Sequence, residues 1–209
     1  MAATPSFDRN RLIETLSEWA RQRLTPAKSG LAQSFFKTYF HRIPSDDLAR
    51  SDLEALYSSA LAHLDLAEQR RPGQFLLRAH NPAEGQSLHA SPFTVVEAVV
   101  DDMAFLVDSA SMALNRLGYT IQLTIHPVVK VSRDENGHLT ALNHDAADAA
   151  SESFLCFHIS REFRTERLDH IVSELTRVLK EVSAANDDRI AMRELALSLA
   201  EDLDTPDTS

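Results

Sequence analysis

The sequence is short of the residues that usually announce chemistry. Among 209 residues it has one cysteine, Cys156, one tryptophan and five glycines. A lone cysteine excludes an intrachain disulfide and suits a reducing compartment. The glycines stand singly at 30, 73, 85, 118 and 137. No loop can therefore wrap a phosphate through close backbone approach, and neither a nucleotide cofactor nor a dinucleotide-binding crossover is expected in this chain. No apolar run approaches membrane-spanning length, and the opening MAATPSFDRNR lacks an apolar signal core. A cytoplasmic protein with no membrane partner is expected. Basic residues are the minority, 21 Lys and Arg against 31 Asp and Glu. The net charge of −10 argues against a broad nucleic-acid surface.

What is present is ordinary for a folded protein: 44% hydrophobic and 25% charged residues. The length fits one sizeable domain, or a compact domain with a helical attachment. The acidic excess is uneven. Residues 1–45 carry a net +4, leaving −14 on the remainder. Two readings stand: chance distribution on solvated helix faces, or contact between a basic front and an acidic body.

The first third has helical periodicity. Leu12, Ile13, Leu16, Ala20 and Leu24 mark one helix ending near Thr25-Pro26. A second, from about Lys28 to Phe40, carries Phe35, Phe36, Tyr39 and Phe40, which at this spacing read as core. A third follows Ser51, whose spacing to Glu54 fits a capping box, and Arg71-Pro72-Gly73 ends it. From Gln74 the period shortens. Phe75–His80 and Thr94–Val100 read as strands, with a surface turn through Gly85 between them. A helix from about Met103 to Leu117 is expected next, capped by Asp101 or Asp102. In TIQLTIHPVVKVSRD, Ile121, Leu123, Ile125, Val129 and Val131 share one parity and Thr120, Gln122, Thr124 and Lys130 the other. That is a half-buried strand bent at Pro127. His138–Leu142 reads as its hairpin partner, and a loop from Asn143 to Ser151 leads to the strand SFLCFHIS. Leu168, Ile171, Val172, Leu175, Val178, Leu179 and Val182 then form a clean helical stripe. A separate last helix is expected over 188–203.

This order predicts an α+β fold, a ferredoxin-like sandwich of an antiparallel sheet with helices gathered on one face. The early helices are expected beside it, leaving the wet strand face open to another domain or subunit. The expected divisions are an N-terminal helical segment (1–73), an α/β domain (74–185), and a C-terminal helix with an acidic tail (186–209).

Chemical motifs are sparse. Cys156 and His158 alternate onto one strand face, but no sequence-local partner completes a metal set, so an inert thiol and a hydrogen-bonded histidine are expected, with no metal. Ser109, Ser111 and Cys156 lack a glycine-rich elbow. A small hydrolase built on Ser109, Cys156 or the histidines would need them to converge in one cleft. Asp187-Asp188 is explained by helix capping. Asp101-Asp102 is more informative, because it stands where a strand becomes a helix. Helix-start amides there can take a carboxylate and an aspartate an ammonium group. Plain capping, amino-acid binding and an interdomain contact are the three readings of Asp101, Asp102, Met103, Ala104, Phe105 and Leu106.

The stretch from Thr94 to Leu139 resembles the N-terminal region of the large bacterial NAD-specific glutamate dehydrogenases. The residues that carry the resemblance are Asp101, Asp102, Met103, Phe105, Leu106, Val107, Asp108 and Ser109, then Ile125, His126, Pro127 and Val128, with Arg133, Asp134 and Gly137. Ala104 stands where that family's motif has proline. YSSALAHLDLAEQRRPGQFLLRAHNP, residues 57–82, is similar to the family's opening helix and Arg-Pro-Gly turn. The resemblance implies an ACT-like domain of the ferredoxin-like type and a non-catalytic regulatory or assembly role. It also implies a downstream catalytic part as partner, NAD for that part, a homo-oligomeric parent enzyme and an amino-acid effector. The parent reaction is oxidative deamination of L-glutamate to 2-oxoglutarate. A free-standing amino-acid sensor is the alternative.

Overall fold

The computed structural model describes residues 8–41, 43–82, 93–143 and 149–204. The turn expected through Gly85, much of the loop between Asn143 and Ser151, and both chain ends lie outside the described residues.

Four helices come first. α1 (Arg9–Arg23) starts at Asp8, whose carboxylate accepts from the Asn10 and Arg11 amides. α2 (Pro26–Tyr39) opens with proline in the first turn, where a missing N–H leaves no bond unmade. A short α3 (Ser45–Arg50) precedes α4 (Leu53–Leu66). The cap of α4 corrects the expected Ser51–Glu54 box. Asp52 accepts from the Ala55 amide at 3.1 Å, while the Ser51 hydroxyl donates back to the Asp47 carbonyl and closes α3. Glu54 is drawn away by Arg23 of α1 at 2.8 Å. At six residues, α3 is too short to show a period.

The strands are β1 (Leu76–His80), β2 (Phe93–Asp101), β3 (Ile121–Ile125), β4 (Val128–Arg133), β5 (Leu139–Leu142) and β6 (Ala150–Ser160). They form one antiparallel sheet in the order β1-β2-β6-β4-β5, with β3 beside β4 on the same edge of β6. β3 and β4 are one bent strand. Pro127 offers no N–H at the break, and its carbonyl accepts from Phe154 at 3.0 Å. In the βαββαβ plan the last strand pairs with the first. Here that edge position is filled by β1, which precedes the unit, antiparallel to β2 and in register from Leu76↔Val99 to His80↔Val95.

Both faces of the sheet are covered, each over its own core. α5 (Leu106–Arg116) and α6 (Thr165–Asp204) pack on one face, where Val96, Val100, Leu155, Phe157 and Ile159 meet Leu106, Leu114, Ile171, Leu175 and Leu179. α1–α4 pack on the other, where Val95, Val99, Val129, Phe154 and Cys156 meet Leu16, Phe35, Phe36, Tyr39 and Leu64. The early helices therefore roof the second face rather than sit beside the sheet. The reason is legible in parity: Ile125, Val129 and Val131 turn toward them, and Gln122, Thr124, Val128 and Lys130 are the exposed residues of β3 and β4. The three aromatics of α2, Phe35, Phe36 and Tyr39, and Phe40 at its C-cap are all buried. Each large side chain buried this way contributes about 2 kcal/mol.

The two helices expected after residue 165 are one, α6, of 40 residues and about 60 Å. Nothing in the sequence breaks it: Ala184, Ala185 and Asn186 continue the turn, and the Asn186 side chain donates to the Val182 and Ala104 carbonyls. Asp187 and Asp188 thus lie inside a helix and cap nothing.

Candidate functional site

Asp101 ends β2 and Asp102 follows it, but neither caps α5. Asp101 turns toward the loop after α4. Its carboxylate pairs with Arg70 at 2.8 Å and accepts from the Gly73 amide at 2.7 Å. Asp102 turns toward β6 and accepts from the Ser153 hydroxyl at 2.6 Å. The helix instead starts at Phe105, which adopts the left-handed conformation with φ 68° and ψ 9° and offers no side-chain cap. For a non-glycine residue that conformation costs about 1–2 kcal/mol. It also turns the ring outward, leaving it 64% exposed. Met103 and Leu106 point inward to the α5/α6 core, and the Ala104 carbonyl is held by Asn186.

The six candidate residues thus do three different things. The aspartates are tied within the chain, Met103, Ala104 and Leu106 anchor the turn, and Phe105 faces outward. An effector's ammonium group would have to compete with the Arg70 guanidinium for Asp101.

Around Asp101 the motif residues converge. Arg70, 1% exposed, pairs through its other nitrogens with Glu152 at 2.8 Å and with the Gln74 carbonyl. Arg133 grips both oxygens of the same Glu152, at 2.8 and 2.7 Å, and donates to the Ala67 and Gly137 carbonyls. Two guanidiniums and two carboxylates balance in charge, with Arg70 and Glu152 buried and Asp101 at the solvent edge. Gly137 sits under this network at φ 85°, and a Cβ there would lie 2.6 Å from the Arg70 carbonyl oxygen. On the other side, Ser153 links Asp102 to His126 Nε2 at 3.0 Å. The Arg-Pro-Gly turn, the Asp-Asp pair, the His-Pro break and the Arg-Asp-x-x-Gly hairpin are therefore one tie between α4 and the sheet.

The residues a small hydrolase would use do not converge. Ser109 lies on α5, whereas Cys156 faces α1–α4 across the sheet. The described glycines occupy turns or the middle of α2, so no dinucleotide cradle is formed by them.

A second polar cluster lies under α4 and joins Cys156 to His63 and Glu97, two residues that sequence reading passed over. Glu97 stands between Val95 and Val99 on the side of β2 that faces α1–α4, 1% exposed, and its register partner on β6 is Cys156. Above them stands His63 of α4, fully buried, with Nε2 against the Ala98 carbonyl at 3.2 Å and Nδ1 3.4 Å from the Tyr39 hydroxyl. Burial opposes ionisation of Glu97, but His80, His63 and Arg78 outweigh it and hold its pKa at about 2. Burial pushes His63 and His158 down and the Cys156 thiol up. The signal available in advance was a lone acid in TVVEAVV at the parity of Val95 and Val99.

The sheet order, the two helices on one face and the motif-bearing tie at the end of β2 define an ACT-like module of the ferredoxin type. The family model for the glutamate dehydrogenase ACT1 domain matches residues 35–175, and the chain belongs to that family. The NAD-specific glutamate dehydrogenase of Halomonas elongata is 30% identical over 196 residues, which is 92% of this chain and 12% of the relative. That of Pseudomonas aeruginosa is 28% identical over 184 residues, 87% of this chain and 11% of the relative. The chain thus spans about an eighth of these relatives or less. No helix among the described residues is long and apolar enough to cross a membrane.

Proposed function

We propose that this chain is the non-catalytic N-terminal regulatory or assembly module of a cytoplasmic, homo-oligomeric NAD-dependent glutamate dehydrogenase. The parent enzyme would deaminate L-glutamate oxidatively to 2-oxoglutarate, with NAD and the reacting groups held by a downstream catalytic part. The family match and the small share of each relative support this reading. Within it, 1–73 acts as a helical roof, 74–185 as the ACT-like unit and 186–209, into which α6 continues without a break, as the link to the rest of the enzyme.

One observation carries the choice between sensing and docking. The aspartates at residues 101 and 102 are already engaged by Arg70, Gly73 and Ser153, while Phe105 is held outward in a strained conformation. That arrangement favours an interdomain contact over an amino-acid site. Strain retained at an exposed residue supports a functional role for it. The test is deletion of this segment from the full-length dehydrogenase, with glutamate turnover, effector response and oligomeric state measured. Loss of assembly or of effector response with residual turnover is expected; unchanged behaviour in all three would defeat the proposal. Calorimetry of the chain with a panel of amino acids separates the sensor reading. Heat accompanied by backbone shifts confined to residues 100–106 would favour a sensor instead.

A further inference from the structure

We propose that His63, Glu97 and Cys156 form a binding site for one divalent transition-metal ion of the zinc class, between the sheet and α4. Three segments supply one donor each: helix α4, strand β2 and strand β6. Their ligand atoms lie within 4.8 Å of one another and all three side chains are buried. A cation at the centre of such a triangle sits within about 2.8 Å of each corner. Rotations of under about 1 Å then reach the usual 2.0–2.3 Å of zinc bound to nitrogen, oxygen and sulfur.

The local chemistry asks for a cation. His63 Nε2–H donates to the Ala98 carbonyl, so the lone pair of the neutral ring is on Nδ1. Nδ1 faces Glu97 Oε1 at 3.9 Å, too long for a hydrogen bond. Nδ1 thus meets the Tyr39 hydroxyl at a long 3.4 Å and faces a second lone-pair atom on Glu97, next to a thiol. A backbone carbonyl that fixes the far nitrogen is the arrangement usual behind metal-binding histidines. Glu97 keeps its other oxygen on His80 and Arg78, which orient it.

The donor set names the metal class. One nitrogen, one sulfur and one oxygen suit zinc or cobalt, whereas magnesium and calcium require oxygen shells. Binding replaces the Cys156 S–H proton by the metal, with that proton released to solvent and no change of oxidation state. Thiolate and carboxylate supply two negative charges for the dication, and the half-buried Arg78 on the far Glu97 oxygen leaves one positive charge toward solvent. A cavity of about 90 Å³, lined by Tyr39, Ser59, Ile125 and His158 among others, reaches Tyr39 beside His63. None of the three donors lines it, so an entering ion has to pass the Tyr39 side chain.

Because Cys156 is the sole cysteine, cobalt reports the site directly. The full chain is stripped with chelator and titrated with Co²⁺, then Zn²⁺, following absorbance, proton release and thermal stability. The expected result is a thiolate-to-cobalt charge-transfer band that saturates at one equivalent, one proton released, displacement by zinc, and a raised Tm. Cys156→Ser should abolish the band, and His63→Gln should weaken zinc binding by more than the roughly 10–100-fold cost of altering groups behind a ligand. Folding of both variants is checked by circular dichroism. If either fails to fold, the wild-type stoichiometry and charge-transfer band decide alone. A folded wild-type chain without that band overturns the proposal, as does a band that survives in Cys156→Ser or cobalt spectra of surface histidines only.

Discussion

Arg70 and Glu152 lie 82 positions apart and meet at 2.8 Å, with 1% and 2% of their side chains exposed. The pair joins the end of α4 to β6, and Arg133 and Asp101 complete it. Its strength lies less in the attraction itself than in what is left behind when one partner goes. Glu152→Gln strands two guanidiniums around one neutral amide. A loss of about 3–5 kcal/mol is expected, read by urea unfolding at neutral pH. Because Arg70 and Glu152 share a network, Arg70→Met combined with Glu152→Leu should cost less than the sum of the single changes. Additive losses would show that the network is not coupled.

The glycines separate backbone need from bystander. Gly137 has φ 85° and no room for a Cβ beneath the Arg70 carbonyl, so Gly137→Ala should cost about 2 kcal/mol or more. Gly73, at φ 74° but in open space, should cost only the left-handed penalty of about 1–2 kcal/mol. Gly30 stands exposed in the middle of α2 with open space around its Cα. Gly30→Ala should therefore stabilise by about 0.5–1 kcal/mol. Thermal melts of the three variants check the ranking, and a destabilised Gly30→Ala would contradict it.

These contrasts show what local sequence could and could not convey. The strand 120–132 was legible because alternation needs only its own residues, and so was the α6 stripe from Leu168 to Val182. The edge position of β1 was not legible, since strand order is set by pairing and not by composition. Asp101 and Asp102 looked like caps because a strand met a helix there; their real partners, Arg70 and Ser153, are 31 and 51 positions away. The early helices were misplaced beside the sheet because one wet strand face hid that the other face needed a roof. His63 carries no local signal of its own, since only the pairing of β2 places Glu97 beneath it.

Acid should unfold the chain in two stages. His63 and His158 are held below their ordinary value of 6.5, chiefly by burial, so the unfolded chain takes up protons first. Stability contributed by their neutrality is complete above pH 6.5 and declines as pH falls below it. Glu97, at about 2 against an ordinary 4.5, adds stability that is complete above pH 4.5 and lost as pH falls toward 2. That second part is worth about 3 kcal/mol. Urea unfolding from pH 8 to pH 3 measures the profile. His63→Gln should flatten the upper stage and leave the Glu97 stage visible; an unaltered upper stage would assign it elsewhere.

Phe105 offers a test in which stability and function move in opposite directions. At φ 68° its backbone is strained, and its ring, 64% exposed, returns little to the fold of this chain. Phe105→Gly removes the left-handed penalty, although glycine's greater freedom in the unfolded chain offsets part of the gain. The isolated chain should therefore be equally stable or up to about 1 kcal/mol more stable. Phe105→Ala keeps the strain and removes only the ring, so its stability should stay within about 0.5 kcal/mol of the wild type. If the ring docks on a neighbouring part of the dehydrogenase, both variants should weaken assembly or effector response of the full-length enzyme to a similar degree. Sedimentation velocity and effector titrations supply the readout. A full-length Phe105→Ala enzyme with wild-type assembly and regulation would remove Phe105 from the contact, whatever the melts show.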